Sequence, residues 1–155
     1  MEQADFLPSL AENAKAQSIH PHQVHLEILE RNLFLRSKME EWINECAKHG
    51  FPVLLDDFGT GYSSLLYLQQ FQPASLKIDR SFISGLPQNK QSRNICKAII
   101  DLANAMNIGV IAEGIETREQ AQMLIELGCK HGQGYLYSKP VPASDLMDLL
   151  LKKAG

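Results

Sequence analysis

The stretch PVLLDDFGTGYSSLLYLQQF, residues 52–71, decides the fold. Val53, Leu54 and Leu55 form a short apolar run that stops at Asp56-Asp57, as a buried strand does where its carboxyl end meets a polar rim. Gly59-Thr60-Gly61 follows as a loop that lets backbone pass close to a neighbour, and Ser63-Ser64 opens a helix over about 63–71. Strand, polar turn and helix in that order make one βα unit.

The unit recurs on both sides. Upstream, a helix over about 4–17 leads into the strand VHLEILE (24–30). In RSKMEEWINECAKHG (36–50), Met39, Trp42, Ile43, Cys46 and Ala47 share one helical face, and Gly50 stands where a helix ends in the left-handed region. Downstream come strand SLKID (75–79), a helix over about 91–107 and strand GVIAE (109–113). A helix from about 118 follows, with Thr117 and Gln120 as a capping box. The run GQGYLY (132–137) and a final helix over 143–153 complete the chain. About five βα units predict an α/β fold with parallel strands, residues 1–155 reading as a single domain.

Composition narrows the function classes. The chain has 155 residues, 45% of them hydrophobic, so it can bury a core. Fifteen Lys+Arg against 18 Asp+Glu leave a net charge of −3, which excludes a disordered tail and gives no support for DNA, RNA or a polybasic membrane anchor. Cys46, Cys96 and Cys129 are odd in number and form no CxxC, so they read as small core residues in a reducing compartment. No apolar stretch approaches the roughly 20 residues of a membrane helix, and the first residues lack the basic start and apolar run of a signal peptide. A cytoplasmic location is expected, either alone or as the cytoplasmic end of a larger membrane-bound parent. His20-Pro21-His22 reads as a turn, and Trp42, Phe71 and Phe82 as packing.

Charge collects at the strand ends, the functional face of parallel α/β folds. Glu27 and Glu30 lie in the first strand, Asp56-Asp57 end the second, Lys77 and Asp79 lie in the third, and Glu113 ends the fourth with Glu116 just beyond. Gln133 belongs to the fifth. Lys77 and Asp79 are two apart and would share a strand face. Carboxylates converging on one rim repel, and divalent cations relieve that repulsion; oxygen donors suit Mg²⁺ or Mn²⁺. Adjacent aspartates can serve two cations about 3.5–4 Å apart, the arrangement of metal-assisted phosphoester displacement. DFG also occurs in protein kinases, but no VAIK lysine or HRD loop accompanies it here.

LEILE (26–30), DDFGTGYSSL (56–65), LKIDRSFI (76–83), IAEGIET (111–117) and QGYLYSKP (133–140), in that order, resemble the EAL domain family of cyclic di-GMP phosphodiesterases. The resemblance implies a TIM-like (β/α)8 barrel and hydrolysis of cyclic di-GMP to linear pGpG with Mg²⁺ or Mn²⁺, two ions in a complete site. It implies Glu27 and Asp56 as metal ligands, Asp57 as ligand of a second metal, and Glu113 as ligand or general base. Lys77 would contact the nucleophilic water or phosphate with Asp79 beside it. Glu30 would steady the DDFGTG loop, and Glu116 and Gln133 would line the site.

Such barrels have eight strands and about 250 residues, so five units predict a partial barrel, truncated at its N-terminal side. The chain contains no Glu-Ala-Leu tripeptide, and Asn13, in a predicted helix, does not replace the family's asparagine ligand. Open sheet edges would favour self-association, either as a homodimer or with another chain completing the barrel. Two alternatives stand beside the enzyme: a non-catalytic module binding cyclic di-GMP or a protein, and a receiver-like phosphoacceptor built on Asp56-Asp57, Asp79 and Lys139-Pro140. In a receiver the acidic pair should follow the first strand, whereas VHLEILE precedes it here.

Overall fold

Charged residues lie within the strands as well as at their ends: Glu27 and Lys77 are strand residues, and the strand carrying Asp56-Asp57 runs on to Phe58. In the computed structural model, which describes residues 6–31, 36–61 and 65–153, helix α1 (Phe6–Ala16) and a 3-10 turn at Pro21–Gln23 lead into β1 (Leu26–Leu29). Then come α2 (Arg36–Lys48), β2 (Val53–Phe58), α3 (Leu65–Phe71), β3 (Ser75–Ile78), α4 (Arg80–Ile83) and α5 (Lys90–Ala105). The chain ends with β4 (Gly109–Ala112), α6 (Arg118–Glu126), β5 (His131–Gly132) and α7 (Ala143–Lys153). Ser63-Ser64, expected to open α3, lie outside the described residues.

The five strands form one sheet in the order β1-β2-β3-β4-β5, and every pairing is parallel. Each strand lies beside its predecessor, which is the order of a barrel wall. A receiver's doubly wound sheet runs 2-1-3-4-5, so the receiver-like alternative fails on topology. All five strands then present their carboxyl ends on one side.

The core forms where helices cover the sheet. Cys96, Ile99, Ile100 and Ala103 repeat at helical spacing along α5 and are buried, together with Leu76 and Ile78 of β3 and Ala112 of β4. Trp42, Phe71 and Phe82 pack against that cluster. All three cysteines are free and buried, and burial pushes the Cys46 and Cys96 thiols up to about 11, far from reactivity near neutral pH. His20-Pro21-His22 does turn: it enters the 3-10 segment, with the two imidazoles stacked at 5.4 Å. Among the described residues no helix is long and apolar enough to cross a membrane.

Two elements differ from the sequence-based expectation. The strand over 132–137 shrinks to His131–Gly132, because Gly134 tucks under Ile115: a Cβ there would lie 2.2 Å from the Ile115 carbonyl oxygen. Tyr135 to Tyr137 follow in a turn that Leu136 anchors by donating its N–H to Ile115 O at 2.9 Å. Helix α4 was not expected. It starts because Asp79 caps it, accepting the Ser81 N–H at 3.0 Å.

Candidate active site

Lys77 stands at the centre of the rim. It lies on β3, the middle strand, and is 4% exposed. Its Nζ lies 2.7 Å from Glu27 Oε1, 2.7 Å from Glu113 Oε1 and 3.2 Å from Asp56 Oδ1. β1 and β3 are two strands apart, roughly 9.5 Å along the sheet, so the Glu27 contact needs both side chains to reach across the face they share. Burial alone would push the Lys77 ammonium down. The hydrogen bonds to Glu113 and Glu27, the Glu113 charge and the bond to Asp56 outweigh it, so the group is held above its ordinary value. Lys77 stays cationic.

Glu113 follows β4 directly and moves the other way. Burial raises its carboxyl above the usual range, the Asp56 and Glu27 charges add to that, and Lys77 opposes it. Gln133 donates from Nε2 to Glu113 Oε1 at 2.6 Å, fixing the orientation of the carboxylate. Gln133 is itself held across the end of the sheet: its N–H donates to Ala112 O and its carbonyl accepts from Ile115 N–H.

Asp56 and Asp57 pose a stereochemical problem. Successive residues of a regular strand point to opposite faces. Here β2 stays in register with β1 through Asp56, while its pairing with β3 slips between Leu55 and Phe58. Within that bulge Asp57 adopts φ +56, a left-handed conformation that aspartate tolerates better than most residues. The irregularity turns neighbouring aspartates toward the same rim. One carboxylate oxygen each from Asp56, Asp57 and Glu113 lie within 4.8 Å of one another. Three hard oxygen donors at that spacing fit a divalent cation such as Mg²⁺ or Mn²⁺. Glu27, expected among the ligands, does not join that trio; it is half-exposed and engaged with Lys77.

The remaining expected residues surround this centre. Glu30 is 5% exposed, and its Oε2 accepts the N–H groups of Gly59 at 3.0 Å and Gly61 at 3.3 Å. Asp79 is not in β3, as its spacing from Lys77 suggested; it caps α4 and lines the neighbouring cleft. Glu116 lines the same cleft, with its N–H donated to Gln120 Oε1 at 2.8 Å. Gln120 was read only as a cap residue, yet it is buried and ties two elements together, its Nε2 donating to Ile83 O at 3.2 Å. The cleft, about 590 Å³, opens beside Asp57 and Glu113 and continues past Gln133 to Tyr135 and Lys139. The arrangement can bind a divalent ion and hold a small polar ligand alongside, with the Lys77 ammonium buried among the acids.

Known proteins share this chain's sequence pattern and fold. The profile of the EAL domain matches residues 1–140. The probable cyclic di-GMP phosphodiesterase PdeB of Escherichia coli is 40% identical over 129 residues, covering 83% of this chain and 24% of that protein. The EAL enzyme Bd1971, in a cGMP-bound form, superposes with a TM-score of 0.90 at 39% identity, over 97% of this chain and 40% of that one. BlrP1 of Klebsiella pneumoniae, in a manganese and cyclic di-GMP complex, gives 0.84 at 28% identity, over 90% of this chain and 36% of that one. The chain spans between about an eighth and a little over a third of the length of these and similar curated relatives.

Proposed function

The chain belongs to the EAL domain family, and from that premise we propose that its acidic rim is the metal-binding and phosphate-binding face of a cyclic di-GMP phosphodiesterase. The observation that carries this reading is the convergence of Glu27, Asp56 and Glu113 on Lys77, with Asp57 beside them, at the carboxyl ends of adjacent parallel strands. Asp56, Asp57 and Glu113 would hold the divalent ion, with Glu27 free to join when Lys77 releases it. A bound ion supplies Lewis-acid activation of the phosphodiester and neutralises charge that develops on it.

The chain's own groups do the rest. Lys77, held in its cationic form by three carboxylates, would orient the phosphate or the attacking water. Glu113, its carboxyl raised by burial, suits a base at the reacting centre. Gln133 keeps that carboxylate aimed. Glu30 steadies the loop after the aspartate pair by binding two of its amides. Asp79 and Glu116 line the route by which substrate reaches the rim. Magnesium and manganese both suit these donors, and two ions fit the adjacent aspartates. The product is linear pGpG.

The test is incubation of the purified chain with cyclic di-GMP and Mn²⁺, in parallel with titration of nucleotide and metal. Metal-dependent binding with formation of pGpG is the expected result. A chain that binds neither Mn²⁺ nor cyclic di-GMP sinks the reading. Binding without pGpG would favour the non-catalytic alternative, which has one sequence observation behind it: there is no Glu-Ala-Leu tripeptide.

Residues 1–155 are read as one EAL-type domain carrying five strands of the barrel wall. Among the described residues the outer edge of β1 has no pairing, and α7 exposes Leu146, Met147, Leu150 and Leu151. Such edges and apolar surface favour association. As these 155 residues alone, the protein is expected to sediment as a dimer or larger, with another copy covering that edge. A stable monomer across a tenfold concentration range would contradict this.

A further inference from the structure

One wall of the cleft is not used by the phosphodiester chemistry. Tyr135 lines it, 59% exposed, and Lys139 places its ammonium 5.7 Å from the centre of the Tyr135 ring. Exposed tyrosine rings are common, but this one is held in place. It lies two residues after Gln133, the residue bonded to Glu113, so the ring is tied to the acid cluster through a short stretch of backbone. Gly134, between them, packs against the Ile115 backbone, and its carbonyl accepts the N–H groups of Tyr137 at 3.0 Å and Ser138 at 3.3 Å. The turn that presents Tyr135 is thus anchored on both sides. Lys139 matters for a second reason. Four acids, Asp57, Asp79, Glu113 and Glu116, line the cleft against two cations, Arg80 and Lys139, so a bound dianion depends on that positive charge. The partner that the structure gives the Lys139 ammonium is the ring, which leaves its N–H donors for an anion.

We propose that Tyr135 and Lys139 form a nucleotide subsite beside the acid cluster, in which the tyrosine ring stacks a purine base and the lysine ammonium takes the phosphodiester that is not at the metal. This rests on the cyclic di-GMP reading above and adds to it the residues that would select a nucleotide over a simple phosphodiester. Base stacking on an aromatic side chain tolerates any base but requires a ring. An ammonium binds phosphate as a point charge, and that attraction weakens with salt.

The test is equilibrium binding of a non-hydrolysable phosphorothioate analogue of cyclic di-GMP in the presence of Mn²⁺, with Mn²⁺ affinity measured separately for every variant. Tyr135→Ala is expected to weaken nucleotide binding about 10-fold or more, and Tyr135→Phe to stay within about 3-fold of the parent. Lys139→Met is expected to weaken binding several-fold and flatten its salt dependence, with Lys139→Arg restoring both. Mn²⁺ affinity should be unchanged throughout. Tyr135→Ala binding as tightly as the parent, or Tyr135→Phe failing as badly as Tyr135→Ala, overturns the subsite while leaving the parent reading intact. Parallel loss of Mn²⁺ affinity overturns it too, since the residues would then act on the fold of the site. A parent chain that binds Mn²⁺ but no nucleotide overturns the substrate reading and the subsite together.

Discussion

Lys77→Met is expected to destabilise the metal-free protein by about 3 kcal/mol, as removing one partner of a buried ion pair does. The reason is what stays behind. Glu27, Asp56 and Glu113 all point at the Lys77 ammonium, and methionine fills a similar volume with no charge to offset them. Glu27 is half-exposed and can swing to solvent, while Asp56 and Glu113 are mostly buried and cannot. The loss should therefore be recovered by a divalent ion, which supplies the missing positive charge. At a concentration 100 times its dissociation constant a bound ion adds about 2.7 kcal/mol. Chemical denaturation of parent and variant, with and without Mn²⁺, measures both effects. If saturating Mn²⁺ stabilises neither the parent nor the variant, the acids do not form an ion site. Because the Lys77 pKa is raised on folding, the ion-pair contribution is present below the unfolded lysine value of about 10.4 and fades as pH rises beyond it. The parent's advantage over Lys77→Met should persist at neutral pH and shrink only under strongly alkaline conditions.

Asp56→Asn carries the largest catalytic effect. Asparagine keeps the acceptor that takes the Asp57 N–H at 2.9 Å, so the bulge should survive. It loses the charge shared with Asp57 and Glu113 around the proposed ion. Lewis-acid assistance is worth several kcal/mol at the transition state, so hydrolysis of cyclic di-GMP should fall by about 1,000-fold or more. The variant should fold as the parent does, with circular dichroism unchanged. Retained turnover would remove Asp56 from the mechanism. Tighter Lys77 pairing cannot explain a loss, because the asparagine variant gives Lys77 one carboxylate fewer.

The alternation of apolar runs with helical periods is a property of local sequence, and it made the βα order and the five strands legible. Charged residues inside apolar strands were equally visible, since Glu27, Lys77 and Glu113 would cost free energy if they faced the core. The geometry that joins them was hidden. That Asp56 and Asp57 face one rim depends on a bulge and a left-handed residue, and both depend on how β2 pairs with β3. The alternation in Tyr135-Leu136-Tyr137 looks like a strand by period alone; the close pass of Gly134 beneath Ile115 makes it a turn, and that is a tertiary contact. Asp79 was assigned to a strand face because two-residue spacing from Lys77 allows it. Its hydrogen bond to Ser81 N–H shows the competing use of such a residue as a helix cap. Gln120 carried a visible signal in its capping box, but its bond to Ile83 joins parts of the chain 37 residues apart, which no local pattern encodes.

Glu30 ties the end of β1 to the loop that follows β2, beyond the reach of the pairing between the two strands. It directly follows β1, the border strand of the sheet among the described residues, and one of its carboxylate oxygens, Oε2, accepts from both Gly59 and Gly61, just beyond the aspartate pair. Pressure or slack at that border therefore reaches the aspartate pair through the Glu30 carboxylate as well as through the pairing of Leu29 with Asp56. A neighbour seated against β1 would act on the acidic rim without touching it, so assembly and the shape of that rim would be coupled.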